Sequence, residues 1–130
     1  MNQYKIDIII GFLGSVVTFL IGKIDISIII LASFMIFDYL TGVIKAIKNK
    51  KLNSKIGFEG LLKKICIFII LIVANLLDLL LGNDNLMFRS IVIYFYISNE
   101  GISILENLCE MNVPIPEKIK EILLSIKESE

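Results

Sequence analysis

The chain has no histidine and no tryptophan, and only two prolines and two cysteines in 130 residues. Without histidine it lacks the commonest general base, the commonest metal ligand and the side chain that titrates nearest neutrality. Cys66 and Cys109 are too few to build a zinc site. No Ser/His/Asp or Cys/His arrangement is present, nor a glycine-rich phosphate loop. These absences lead to the expectation of a protein that is not an enzyme and that uses no cofactor and no metal. Charge is also missing over long stretches: Ile8 to Gly22 carries none.

What fills the space is apolar. The chain is 56% hydrophobic and 20% charged, against about 45–50% and about 25% for soluble domains. A soluble domain this small has too little interior for so much Ile, Leu, Val and Phe. The surplus implies a second apolar phase, a lipid bilayer. The start, MNQYKID, is weakly positive and no small-residue cleavage site follows, so the first apolar run reads as a retained anchor.

Four apolar runs follow one another. Ile8–Gly22 is uncharged; Ile26–Ile44 carries only Asp38; Leu61–Leu81 carries Lys63, Lys64 and Asp78; Leu86–Leu108 carries Arg89, Glu100 and Glu106. A spanning helix needs about 20 residues. The fourth run is long enough but the most polar, so it is either a span lining something wet or a helix lying on the surface. The expected fold is all-α, an integral membrane protein with three to four transmembrane helices, four favoured. The spans fall at about 6–22, 26–44, 62–81 and 86–108, with a basic loop over 45–61. The tail, 113–130, opens with Pro114 and Pro116 and then repeats Ile119, Ile122, Leu123 and Ile126 at helical spacing. That predicts a short amphipathic helix on the cytoplasmic side.

Orientation comes from the lysines. Lys45, Lys48, Lys50, Lys51, Lys55, Lys63 and Lys64 stand against Glu59 alone between the second and third runs. By the positive-inside bias this loop is cytoplasmic, and alternation places both termini inside. Anionic lipid headgroups are its expected partner rather than nucleic acid, because aromatic residues are scarce in it. Both cysteines then fall near the cytoplasmic side, where thiols stay free.

Charges inside a span are costly and usually face a bundle interior or a water-filled path. Asp78 and Arg89 flank a tight turn and are expected to pair across it. Glu100 approaches the level of Asp38, and no cation stands at that depth in its own run. A lysine reaching down from position 45 or 64, a bound proton, or water in a lumen would each satisfy it. Arg89, Ile93, Tyr96, Glu100, Ser103 and Asn107 step by four and three along one helix face. This stripe is either covered by the other helices or turned to a shared aqueous interior in an oligomer; Glu106 is the further acid of the same run. In the first run Gly11, Gly14, Ser15, Thr18 and Gly22, and in the second Thr41, Gly42 and Ala46, have the small-residue spacing that lets membrane helices approach closely. The partner is another helix of this chain or a second copy.

The string DYLTGVIKA (38–46) with LNSKIGFEGLLKK (52–64) resembles the signature of the holin family of Gram-positive bacteria and their phages, which acts in phage lysis and toxin secretion. ISNEGISILEN (97–107), VPIPE (113–117) and Asp78 in ANLLD are similar to the same family, so that the resemblance covers roughly residues 30–125. It implies a small protein of the bacterial cytoplasmic membrane that assembles with itself into holes. Those holes release an endolysin or a large toxin as cargo, without binding it tightly. Members with three spans are common in that family. Two other functions fit the residues alone: a small four-helix ion-coupled transporter using Glu100 or Asp38, and an accessory or antiholin subunit whose charges only hold a partner.

Overall fold

In the computed structural model residues 2–128 are described, and they form five α-helices with no strand among them: α1 (Gln3–Ile21), α2 (Ile26–Lys48), α3 (Ser54–Leu81), α4 (Met87–Glu110) and α5 (Glu117–Glu128). The boundaries follow from local chemistry. Asn2, Asp25 and Asn53 each sit in extended backbone just before a helix, and each side chain accepts a backbone N–H of the first turn, which satisfies one of the donors a helix start leaves orphaned. Helix α3 stops at Gly82, which adopts the left-handed conformation at φ 66°. The Asn83 N–H then returns to the Asp78 carbonyl at 2.9 Å, the Schellman pattern that glycine favours.

The basic loop is shorter than expected from the sequence. Helix α2 continues through Lys48 and α3 begins at Ser54, so only residues 49–53 are non-helical. Lysine is a good helix former, and the charged run therefore extends both helices instead of ending them.

Helix α4 is the hub. It packs against α2, α3 and α5, while α1 packs against α3 and α2 barely meets α3. The apolar core is small: Ile28, Leu31 and Met35 from α2, Ile67 and Leu71 from α3, and Ile93 and Ile97 from α4. Most large apolar side chains lie outside it; Phe12 is 68% and Leu80 is 79% exposed. That outer surface is what a lipid phase covers. Three helices, α1, α2 and α3, are long and apolar enough to cross a membrane. Helix α4 is not among them, because its polar residues dilute the run. Its ends nevertheless match those of α2: Arg89 reaches Asp25 at one end, and Lys45 pairs with Glu110 at the other.

Candidate functional site: two polar clusters inside an apolar bundle

The polar side chains gather at two levels. At the level of the α1–α2 and α3–α4 turns the centre is Arg89, buried at the start of α4. Its guanidinium donates to the Ile21 carbonyl at 2.9 Å, the Lys23 carbonyl at 2.7 Å and the Asp25 carboxylate at 3.0 Å. Asn75 of α3 donates to the Phe19 and Leu20 carbonyls at 3.0 and 2.9 Å. Between them they satisfy the last carbonyls of α1. Gly22 makes this approach possible. It sits at φ 88°, and a Cβ there would lie 2.8 Å from both the Arg89 Nε and the Asn75 Oδ1. Gly22 is thus a cap that lets Arg89 of α4 and Asn75 of α3 come close to the end of α1.

The direct Asp78–Arg89 ion pair expected from the sequence does not form. The Asp78 carboxylate accepts the backbone N–H groups of Phe88 and Arg89 at 3.0 and 2.8 Å, and the Asn83 amide at 3.1 Å. The residue before α4 is Leu86, in left-handed backbone at φ 52°, whose side chain offers no cap. Asp78 supplies that cap from the preceding helix, across the turn. The Arg89 side chain is left for Asp25. Burial raises the Asp25 carboxyl, but hydrogen bonds from Ser27, Arg89 and the Ile28 N–H outweigh it and bring the pKa from 3.8 down to about 2.

The second level lies nearer the lysines. Lys64 of α3 bridges Asp38 of α2, at 2.5 Å, and Glu100 of α4. One ammonium therefore ties three helices. Asn107 extends the cluster, donating to Thr41 Oγ1 at 3.0 Å and to the Asp38 carboxylate at 3.3 Å. Lys45 pairs with Glu110 at 3.2 Å and Lys48 donates to the Met111 carbonyl at 3.0 Å, closing that end. Of the ways to satisfy Glu100, a lysine reaching down is the one the structure takes, and it is Lys64. No buried side-chain polar atom lacks a hydrogen-bond partner among the described residues, as a low-dielectric interior demands.

The α4 stripe faces inward. Arg89, Ile93, Glu100 and Asn107 are buried, and Tyr96 and Ser103 are half-buried. Glu106 is exposed and lies off that face. Gly42 leaves ordinary clearance to Asn107, 3.7 Å from an added Cβ. Thr41 and Ala46 are half-buried. Gly11, Gly14, Ser15 and Thr18 meet no partner helix among the described residues: all four are exposed, and nothing described stands within 4 Å of a Cβ added at Gly11 or Gly14. Lys50, Lys51, Lys55 and Lys63 are exposed, and both cysteines are free and exposed.

Three features were missed in the sequence. They are Asp25 in the α1–α2 turn, Asn75 inside an apolar run, and Gly101 at a close approach between helices. A Cβ at Gly101 would lie 2.9 Å from Leu123 of α5 and 3.1 Å from Phe34. An asparagine amid isoleucine and leucine was a usable signal for Asn75. In the tail only Leu123 of the expected stripe is buried; Ile119 and Ile122 stay exposed.

A bundle with an apolar exterior and ion pairs between its helices defines a class: small helical membrane proteins. The chain belongs to the bacteriophage holin family, whose model matches residues 15–128. It is 53% identical over 111 residues to an uncharacterized 14.9 kDa protein in the nagH 3′ region of Clostridium perfringens, covering 85% of this chain and 84% of that one. A Listeria innocua protein, Lin0175, is 41% identical over 89% of this chain and 81% of its own length. A protein of Bacillus phage phi105 named "Probable holin" is 44% identical over 66% of this chain and 63% of its own length. No solved structure matches the chain. Family and apolar helices together mark a protein of the cytoplasmic membrane.

Proposed function

We propose that the chain is a holin. It accumulates in the cytoplasmic membrane, assembles with copies of itself and opens holes that pass an endolysin or a large toxin, without enzymatic action of its own. The observation behind this reading is the sorting of side chains. The polar stripe of α4 faces the other helices and its charges are paired there, so a single copy is tolerable in lipid. The same stripe, turned outward in a ring, would line water. Helix α1, with its small residues uncovered, is the face offered to a neighbour.

In this reading α4 is a fourth crossing. It runs beside α2 from Asp25 to Lys45, and its charges within the bundle are matched by partners from the other helices. The lysine end is cytoplasmic, both termini lie inside, and the exposed lysines meet anionic headgroups. Charges at partial depth feel part of the membrane potential, about 2.3 kcal/mol per charge per 100 mV across the whole bilayer. Asp38, Lys64 and Glu100 therefore bias the closed bundle while the membrane is energised.

The test is lysis of a bacterium expressing the chain from an inducible promoter, with and without a cytoplasmic endolysin that lacks a signal peptide. Abrupt lysis needing both proteins, advanced by an uncoupler, is the expected result. Continued growth at confirmed membrane expression would move the assignment to an accessory subunit, and substrate-specific flux without protein release to a transporter.

A further inference from the structure

A furrow of about 980 Å³ opens between α2 and α3 at the lysine end, with α4 as its back wall. That is at the upper end of ordinary ligand sites, about 300–1,000 Å³. Along α3 it runs from Ile56 to Ile70, about 21 Å at the helical rise. One leaflet of hydrocarbon is about 15 Å deep, half of a core of about 30 Å. The furrow is thus as long as one leaflet and reaches the headgroup level.

Its chemistry is graded along that length. Lys51 lines it from the loop at the mouth and Lys63 from halfway along α3, and neither has an ion-pair partner among the described residues, unlike Lys45 and Lys64. The deep end is closed by Ile67, Ile70 and Tyr96. Gly57 and Gly60 line the α3 wall, and a Cβ at Gly60 would come no nearer than 3.9 Å to Tyr39. Midway, the Asp38–Lys64–Glu100 cluster forms part of the lining and is only partly covered, with side chains 14%, 16% and 9% exposed. An ion cluster facing an open furrow inside a bilayer needs something other than bare hydrocarbon against it.

We propose that this furrow is the seat of one anionic phospholipid of the inner leaflet, its phosphate on Lys51 and Lys63 and an acyl chain lying along Ile67 and Ile70. Basic pockets between membrane helices on the cytoplasmic side are the usual seats of such headgroups. The two free ammonium groups supply charge complementarity, and the apolar shaft beneath them selects an amphiphile over a free phosphate. The placement rests on the lysine end facing the cytoplasm. It does not depend on hole formation, so failure of the lysis assay and failure of this site are separate results.

The full chain, purified in mild detergent and stripped of lipid, is titrated with phosphatidylglycerol or phosphatidylcholine, and bound lipids per chain are counted by native mass spectrometry. One phosphatidylglycerol per chain is expected, retained in preference to phosphatidylcholine. Lys51→Gln with Lys63→Gln lowers that preference roughly tenfold or more. Lys50→Gln with Lys55→Gln removes the same charge away from the furrow and leaves it unchanged. Gly60→Leu fills the furrow and excludes both lipids. Equal retention of the two lipids, or equal losses from the two lysine pairs, would overturn the proposal and leave only diffuse attraction to a basic surface. Displacement by inorganic phosphate alone would overturn it too, since no acyl chain would then be needed.

Discussion

Helix α1 carries no charge from Ile8 onward and buries none of its residues, whereas α4 carries Arg89, Glu100, Glu106 and Glu110 and buries seven, three of them Arg89, Glu100 and Asn107. In water the ranking would be reversed, because apolar surface drives burial there. In lipid, apolar surface costs nothing to expose and each unpaired polar group costs several kcal/mol. The most polar helix therefore becomes the centre of the bundle and the most apolar one its outrigger. Position in this fold is set by what must be hidden from hydrocarbon.

The sharpest way to break that contrast is to unpair the centre. Lys64→Met leaves Asp38 and Glu100 facing each other, and removing one partner of a buried ion group costs about 3–5 kcal/mol. Unfolding in detergent micelles reads the loss. The triple variant Asp38→Asn, Lys64→Met, Glu100→Gln regains most of it, and a triple variant as unstable as the single one would show that packing, not charge, holds the three helices.

The joint between the two regions comes next. Gly22 lies at φ 88° and ψ −170°, a region almost restricted to glycine, and a Cβ there meets Arg89 and Asn75. Gly22→Ala is expected to cost about 1–3 kcal/mol, read by the same unfolding measurement. Gly82→Ala, with left-handed backbone but open space around it, costs less.

Acid sharpens the same joint more gently. The Asp25 carboxyl has a lower pKa folded, about 2, than its ordinary 3.8. Its contribution is therefore complete above pH 3.8 and lost as pH falls towards 2. Asp25→Asn flattens that part of the acid limb in a pH titration of stability. The smallest effect belongs to α1. Ser15→Leu leaves unfolding of the single chain within about 0.5 kcal/mol while lowering cross-linking between copies. An equal loss of fold stability would mean that α1 is packed like the rest.

Much of this was legible in sequence. Apolar runs locate the helices because a bilayer imposes length and composition, and the spacing of Arg89, Glu100 and Asn107 puts them on one face of α4, without saying what that face meets. The partners were not legible. Whether Arg89 meets Asp78 or Asp25 depends on the left-handed turn at Leu86, which hands the Asp78 carboxylate to backbone N–H groups. Lys64 stood beside Lys45 as a lysine able to reach Glu100, but its second partner Asp38 was not marked, because nothing local shows that α3 begins about two turns earlier than its apolar run and turns this side chain inward. Gly22 fell on the small-residue spacing of α1, and only the three-dimensional approach of Arg89 reveals its different task.

Asn75 and Arg89 grip α1 at its last turn over Gly22, and no residue of the helix is buried among the described residues. In mechanical terms α1 is a rod on a pivot. Its attachment lies at one end, so a neighbour can meet the rest of the rod without first dismantling the bundle. If the chain assembles as proposed, contact between copies would then begin at a single helix, with the paired charges at the centre left undisturbed.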